Sequence, residues 1–149
     1  MVRLVKTVSV NQDFQALVAL LDQRLLVTDG HEFSFFAQYN KTNTIKNVIV
    51  AYYNDVPAGC GAFKKFTENT VEIKRMFVKE EFRGKGISKT ILSALEDWAK
   101  ELSYTESVLE TGAMLDVAIQ LYKKSGYEII PNYAQYMGVE SSVCMKKTL

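Results

Sequence analysis

The stretch VEIKRMFVKEEFRGKGISKTIL, residues 71–92, changes period partway along its length. Up to Val78 apolar and polar residues largely alternate, the pattern of a strand with two faces. From Ile87 the apolar residues recur every three or four positions, at Ile87, Ile91, Leu92, Leu95, Trp98, Ala99 and Leu102, which predicts a helix over residues 85–102. Between the two lie Arg83, Gly84, Lys85 and Gly86. The first turn of a helix carries unpaired N–H groups and a partial positive charge, so this junction suits an anion. Its glycines would let backbone N–H groups approach a phosphate closely. The same glycines also suit a tight strand-to-helix turn needed only for its shape, and on Arg83–Ser88 alone both readings stand.

Two phosphate motifs fail on spacing. The P-loop pattern needs a glycine five residues before Gly84-Lys85, and none is there. The dinucleotide fingerprint needs a third glycine where Lys89 stands, and a parallel strand–helix–strand unit where the sequence predicts a meander.

Working outward, residues 3–9 read as a strand. Asn11 is placed to cap a helix with Phe14, Leu17, Val18, Leu21 and Leu25 on one face, ended by Asp29-Gly30. HEFSFFAQYN (31–40) reads as a shorter helix or as a loop lined by phenylalanines. NVIVAYYN is a strand, and Asn54-Asp55 begins a turn into the strand AGCGAFKKF. Thr67-Glu68-Asn69 turns into TVEIKRMFV, giving an antiparallel meander. After the 85–102 helix come the strand ESVLE, a helix over Met114–Lys124, and closing strands YEII and SSVCMKK. The order β-α-α-β-β-β-α-β-α-β-β predicts an α/β fold, one domain over residues 1–149 with a central mixed, mostly antiparallel sheet flanked by helices.

Composition narrows the function. Eighteen basic against seventeen acidic side chains leave a net charge of +1, which gives no electrostatic footprint for nucleic acid. No apolar run reaches membrane-spanning length and the N-terminus lacks a signal-peptide core, so a cytoplasmic location is expected, without a membrane partner. Cys60 and Cys144 lie far apart with no metal-ligand spacing. They read as reduced, buried thiols, with a disulfide as the alternative.

The junction together with AIQLYKKSGYEII resembles the GNAT family of acetyl-CoA-dependent N-acetyltransferases. Arg83-Gly84-Lys85-Gly86-Ile87 fits that family's Q/R-x-x-G-x-G/A signature, with Ser88 where glycine or alanine is usual. Ala118, Leu121, Tyr122, Gly126 and Tyr127 fit its second motif, and Leu115 replaces a frequent asparagine. The resemblance implies acetyl-CoA as cosubstrate, with the backbone of the Met76–Phe77–Val78 segment pairing the pantetheine arm and Arg83, Gly84, Lys85, Gly86, Ile87 and Ser88 holding the pyrophosphate. It implies Tyr122 as proton donor to the departing thiolate, where the plain reading of that residue is a core aromatic. It implies Glu72 as general base, with Glu110 as rival; either could instead be a structural carboxylate, paired to Lys74 or Arg75. No metal is implied.

His31, the one histidine, reads as a surface residue at a helix start. Tyr133, Tyr136 and Met137 read either as lining for an acceptor pocket or as a loop packed on the sheet. The expected reaction is direct attack of an amine, taken to be a small molecule, on acetyl-CoA, and the resemblance also allows a homodimer. The competing readings are a non-catalytic acyl-CoA-binding module and a protein N-acetyltransferase. The acceptor's identity and the length of the acyl group are not legible in the chain.

Overall fold

Asn11 opens the first helix as its residue type favours. Its side-chain oxygen accepts the N–H of Phe14 at 2.9 Å, which closes one of the four donors a helix start leaves open. The computed structural model describes residues 1–41 and 44–149. Its elements are β1 (Val2–Thr7), α1 (Gln12–Asp29), α2 (Phe33–Ala37), β2 (Asn47–Tyr53), β3 (Val56–Thr67) and β4 (Thr70–Val78), followed by α3 (Ile87–Glu101), β5 (Glu106–Gly112), α4 (Asp116–Lys124), β6 (Glu128–Ile130) and β7 (Ser142–Thr148). A 3-10 turn, Gly30–Glu32, precedes α2 and holds an exposed His31, so HEFSFFAQYN is helical only in part.

The seven strands hydrogen-bond in the order β1-β2-β3-β4-β5-β7-β6. β1/β2, β2/β3, β5/β7 and β6/β7 are antiparallel. β4 and β5 are parallel, through the pairs Thr70↔Glu106, Val71↔Ser107 and Glu72↔Val108. The fold class is therefore α/β with a mixed, mostly antiparallel sheet. One expectation is corrected here, because β4 ends the meander and also begins a parallel β4–α3–β5 crossover. The dinucleotide fingerprint still fails, now on Lys89 alone. Asn54 and Asp55 have φ of +49° and +67°, the left-handed backbone that a two-residue hairpin demands and that these residue types tolerate.

The described residues form two compact units, Met1–Lys64 with Lys74–Leu95, and Lys65–Ile73 with Glu96–Leu149. In the first, Phe14, Leu17, Val18 and Leu21 of α1 pack with Val48, Val50, Cys60, Ala62 and Phe77, each large side chain stabilising by roughly 1.5–3 kcal/mol. The start of α3 buries Ile87, Ile91, Leu92 and Leu95. It can lie this close to β3 because Gly61 has no Cβ. One added there would stand 2.8 Å from Ile91 Cγ2 and 2.9 Å from Leu95 Cδ1. In the second unit the core is Val108, Leu109, Met145, Cys144 and Ala99 with the tyrosines Tyr122, Tyr127 and Tyr136. Glu96 is buried there and accepts from Lys147 Nζ at 2.9 Å.

Several boundaries differ from those expected. α3 begins at Ile87, not residue 85, because Gly84 and Gly86 take left-handed φ and cannot extend a helix. It ends at Glu101, so Leu102 lies past the helix and is exposed, and Trp98 is only half-buried. α4 begins at Asp116, two residues later than Met114, which is exposed. β1 stops at Thr7, where Val8 leaves the sheet to accept the N–H of Asn11.

Candidate functional site

The strand-to-helix junction lies wholly in the first unit. A 3-10 turn, Glu80–Phe82, leads from β4 into Arg83, whose Nε donates to the Val78 carbonyl at 3.2 Å. That bond ties the side chain of Arg83 to the end of β4. Gly84 and Gly86 have φ of +78° and +76°, and beyond the adjoining backbone no atom lies within 4 Å of where a Cβ would sit on either. The turn therefore needs glycine for its shape, and it also presents open backbone at the first turn of α3. Gly86 starts the helix by accepting from Thr90, through its N–H at 3.1 Å and its hydroxyl at 2.9 Å. Lys85 rests its ammonium 5.0 Å from the ring centroid of Tyr53. Burial first, and then the charge of Arg83, hold the guanidinium of Arg24 on α1 below its ordinary value, while the carboxylate of Glu80 acts the other way. This third cation was invisible in the sequence, where Arg24 is one more polar position on α1.

Met76, Phe77 and Val78 complete the residues expected around a cofactor. The side chain of Phe77 belongs to the core and that of Val78 is buried, so only their backbone groups are open to a binding role. The parallel register with β5 covers β4 only as far as Glu72.

Glu72, Glu110 and Tyr122 all lie in the second unit. Glu72 is 2% exposed, and its Oε2 accepts the hydroxyl of Tyr133 at 2.7 Å. Arg75, one of the two cations weighed as a structural partner for a carboxylate here, bonds through its guanidinium to Asp22 of α1. Glu110 is half-buried on β5, its Oε2 accepting from Ser142 Oγ at 2.7 Å. Tyr122 is buried on α4, edge-on to Tyr127 at 5.9 Å between ring centroids. Burial, and then the charge of Glu110, push the Tyr122 phenol well above its usual range. Tyr136 feels burial first, then Glu110, then Glu72, and Cys144 on β7 likewise feels burial and both carboxylates. The second unit thus brings Glu72, Glu110, Tyr133, Tyr136 and Cys144 into one cluster, with Tyr122 beside Glu110. Of the C-terminal residues weighed as pocket lining, Tyr136 is 1% exposed and packed, Tyr133 is spent on Glu72, and Met137 is 70% exposed. The partnership of Tyr133 with Glu72 spans 61 residues and left no trace in local pattern.

Residues 14–127 match the model of the Acetyltransferase (GNAT) family. The chain is 34% identical over 102 residues to an IAA acetyltransferase of Azospirillum brasilense, covering 68% of this chain and 67% of that one. A Klebsiella pneumoniae protein assigned to the acyl-CoA N-acyltransferases superposes with a TM-score of 0.81 at 28% identity, covering 100% of this chain and 98% of that one. The PaiA N-acetyltransferase of Thermoplasma acidophilum, solved in complex with coenzyme A, shares the fold at a TM-score of 0.74 and 19% identity over 100% of this chain and 99% of that one. The chain belongs to the GNAT family of acetyltransferases. The matched stretch spans 67%, 55% and 29% of the length of three curated relatives.

Proposed function

We propose that the protein is an acetyl-CoA-dependent N-acetyltransferase whose acceptor is a small-molecule amine. The observation that carries this reading is the junction at α3, with open left-handed backbone at Gly84 and Gly86 flanked by Arg83 and Lys85. An ADP-containing thioester suits such a seat, since a pyrophosphate needs both backbone N–H groups and nearby cations. Arg83, Gly84, Lys85, Gly86, Ile87 and Ser88 would hold the pyrophosphate. The backbone of Met76, Phe77 and Val78 would pair with the pantetheine amides as an added strand. Bound there, acetyl-CoA supplies an acetyl thioester and a thiol leaving group.

The chain's own residues do the proton work. The acceptor arrives as an ammonium with no lone pair, and Glu72 takes its proton; Glu110, engaged by Ser142, is the second carboxylate within the same unit. Tyr122 presents its hydroxyl to the departing sulfur. A thiol ordinarily titrates near about 8.5, below the phenol even before burial raises it, so Tyr122 acts chiefly by donating a hydrogen bond rather than by full transfer. A near-neutral chain with interspersed charges offers little steering for strongly cationic protein tails, which favours a compact amine.

The test follows free thiol from acetyl-CoA against a panel of polyamines, amino acids and a lysine-containing peptide at equal concentration. Thiol release with small amines supports the reading. A peptide favoured by more than about tenfold in kcat/KM, about 1.4 kcal/mol, overturns the choice of acceptor class. No release with any amine, from protein that binds acetyl-CoA, overturns the enzyme and leaves a binding module.

A further inference from the structure

We infer that Tyr133 is a positioning residue, holding the carboxylate of Glu72 aimed for proton abstraction; this rests on the reading of Glu72 as base. The bond has one polarity, because a carboxylate only accepts, so the phenol of Tyr133 is the donor at 2.7 Å. Its ring is fixed from two sides. Phe66 meets it edge-on at 4.9 Å between centroids, and Tyr136 does so at 5.8 Å. The segment that carries it is fixed as well. Tyr136 N–H closes onto the Tyr133 carbonyl at 2.9 Å, while Asn132 Nδ2 donates to the carbonyls of Val139 at 2.9 Å and Ser142 at 3.1 Å. A hydroxyl on so constrained a ring can keep an acceptor in one orientation through turnover.

The surroundings explain why the carboxylate needs this donor. Facing the Glu72 side are Tyr133 and Tyr136 from the β6–β7 connection, Cys144 from β7 and, bordering the same Tyr136 and Cys144, Glu110 from β5. Lys74 lies two residues on along β4. At 2% exposure Glu72 has little water around it to hold its carboxylate, so a fixed protein donor sets its orientation. Burial and Glu72 also raise the Tyr133 phenol, so it stays a donor across any usable pH.

The experiment compares parent, Tyr133→Phe, Glu72→Gln and the double variant, using acetyl-CoA and whichever amine of the panel has the highest kcat/KM. Phenylalanine keeps the ring contacts, and unchanged acetyl-CoA affinity and melting temperature verify the fold. Tyr133→Phe is expected to move the acid limb of kcat/KM upward by about one to two pH units, because a hydrogen bond to a charged group is lost. The deficit should be about tenfold or more on that limb and shrink to a few-fold above it. The double variant should be no slower than Glu72→Gln alone. A deficit equal at every pH, or one that multiplies with Glu72→Gln, overturns the positioning role. An acid limb that persists unchanged in Glu72→Gln instead overturns Glu72 as base, an outcome distinct from the first. If Tyr133→Phe lowers the melting temperature, Glu72→Asp, which draws the carboxylate back by one methylene, should reproduce the limb shift; an unshifted limb overturns the role.

Discussion

Asp22 of α1 carries the counter-charge of Arg75, whose side chain is 2% exposed in β4 while that of Asp22 is 46% exposed. Arg75 also takes φ of +59°, so a non-glycine residue is held in left-handed backbone within a strand. Its Nε is buried with no hydrogen-bond partner among the described residues, and Asp22 is therefore its chief compensation there. Asp22→Asn should cost about 2–3 kcal/mol, less than for a wholly buried pair because water reaches the Asp22 side. Urea unfolding midpoints measure it, and a loss under about 0.5 kcal/mol would show that the pair contributes nothing to stability.

At the junction, bulk at Gly86 is a poor probe, because φ of +76° makes any side chain strain the turn itself. Ser88→Asp separates anion binding from turn shape. Ser88 is the second residue of α3, where a negative side chain favours the helix but repels a phosphate. Coenzyme A affinity by calorimetry should fall more than tenfold while the melting temperature holds or rises. Unchanged affinity would mean that the junction is a tight turn only.

Tyr122→Phe removes one hydroxyl and keeps the ring against Tyr127. We expect kcat to fall by about 10²–10³-fold, the loss of one donor to the developing thiolate, with acetyl-CoA affinity preserved. Since burial and Glu110 raise the phenol, no basic limb from its ionisation should appear below about pH 10 in the parent. Turnover within a factor of about two of the parent would make Tyr122 a packing residue.

Alkaline stability follows from four tyrosines of the second unit. Tyr122, Tyr127, Tyr133 and Tyr136 are all raised, with burial the largest cause in each. Their neutral forms fit the folded state, so the stability they contribute is complete below the unfolded value near about 10 and is lost as pH rises above it. The loss should approach about 1.4 kcal/mol per tyrosine per pH unit. Chemical denaturation between pH 8 and 11 checks this, and a flat profile across that range would contradict it.

The fold was legible because its signals are local. Asn11 caps the helix it precedes, Asn54-Asp55 turns the hairpin it lies in, and the face from Ile87 to Ala99 is a period any short window detects. The loop glycines were legible for the same reason, since left-handed φ leaves few other choices. What stayed hidden was non-local or ran against residue type. Tyr133 meets Glu72 across 61 residues, and Asp22 meets Arg75 across 53. Nothing in an arginine announces positive φ. The parallel pairing of β4 with β5 was hidden too, because pattern gives the faces of a strand and not its neighbours.

Each compact unit also encloses a single free thiol, Cys60 in the first and Cys144 in the second, both fully buried. Burial pushes the Cys60 thiol up to about 12 and raises that of Cys144, which withholds the thiolate that reacts with alkylating reagents. Modification of either cysteine must wait for its surroundings to open, so the two act as internal clocks. Following the mass of each labelled peptide against time gives two opening rates from one unmodified chain. Equal rates would mean that the units open together, and unequal rates would rank their kinetic persistence without a single mutation.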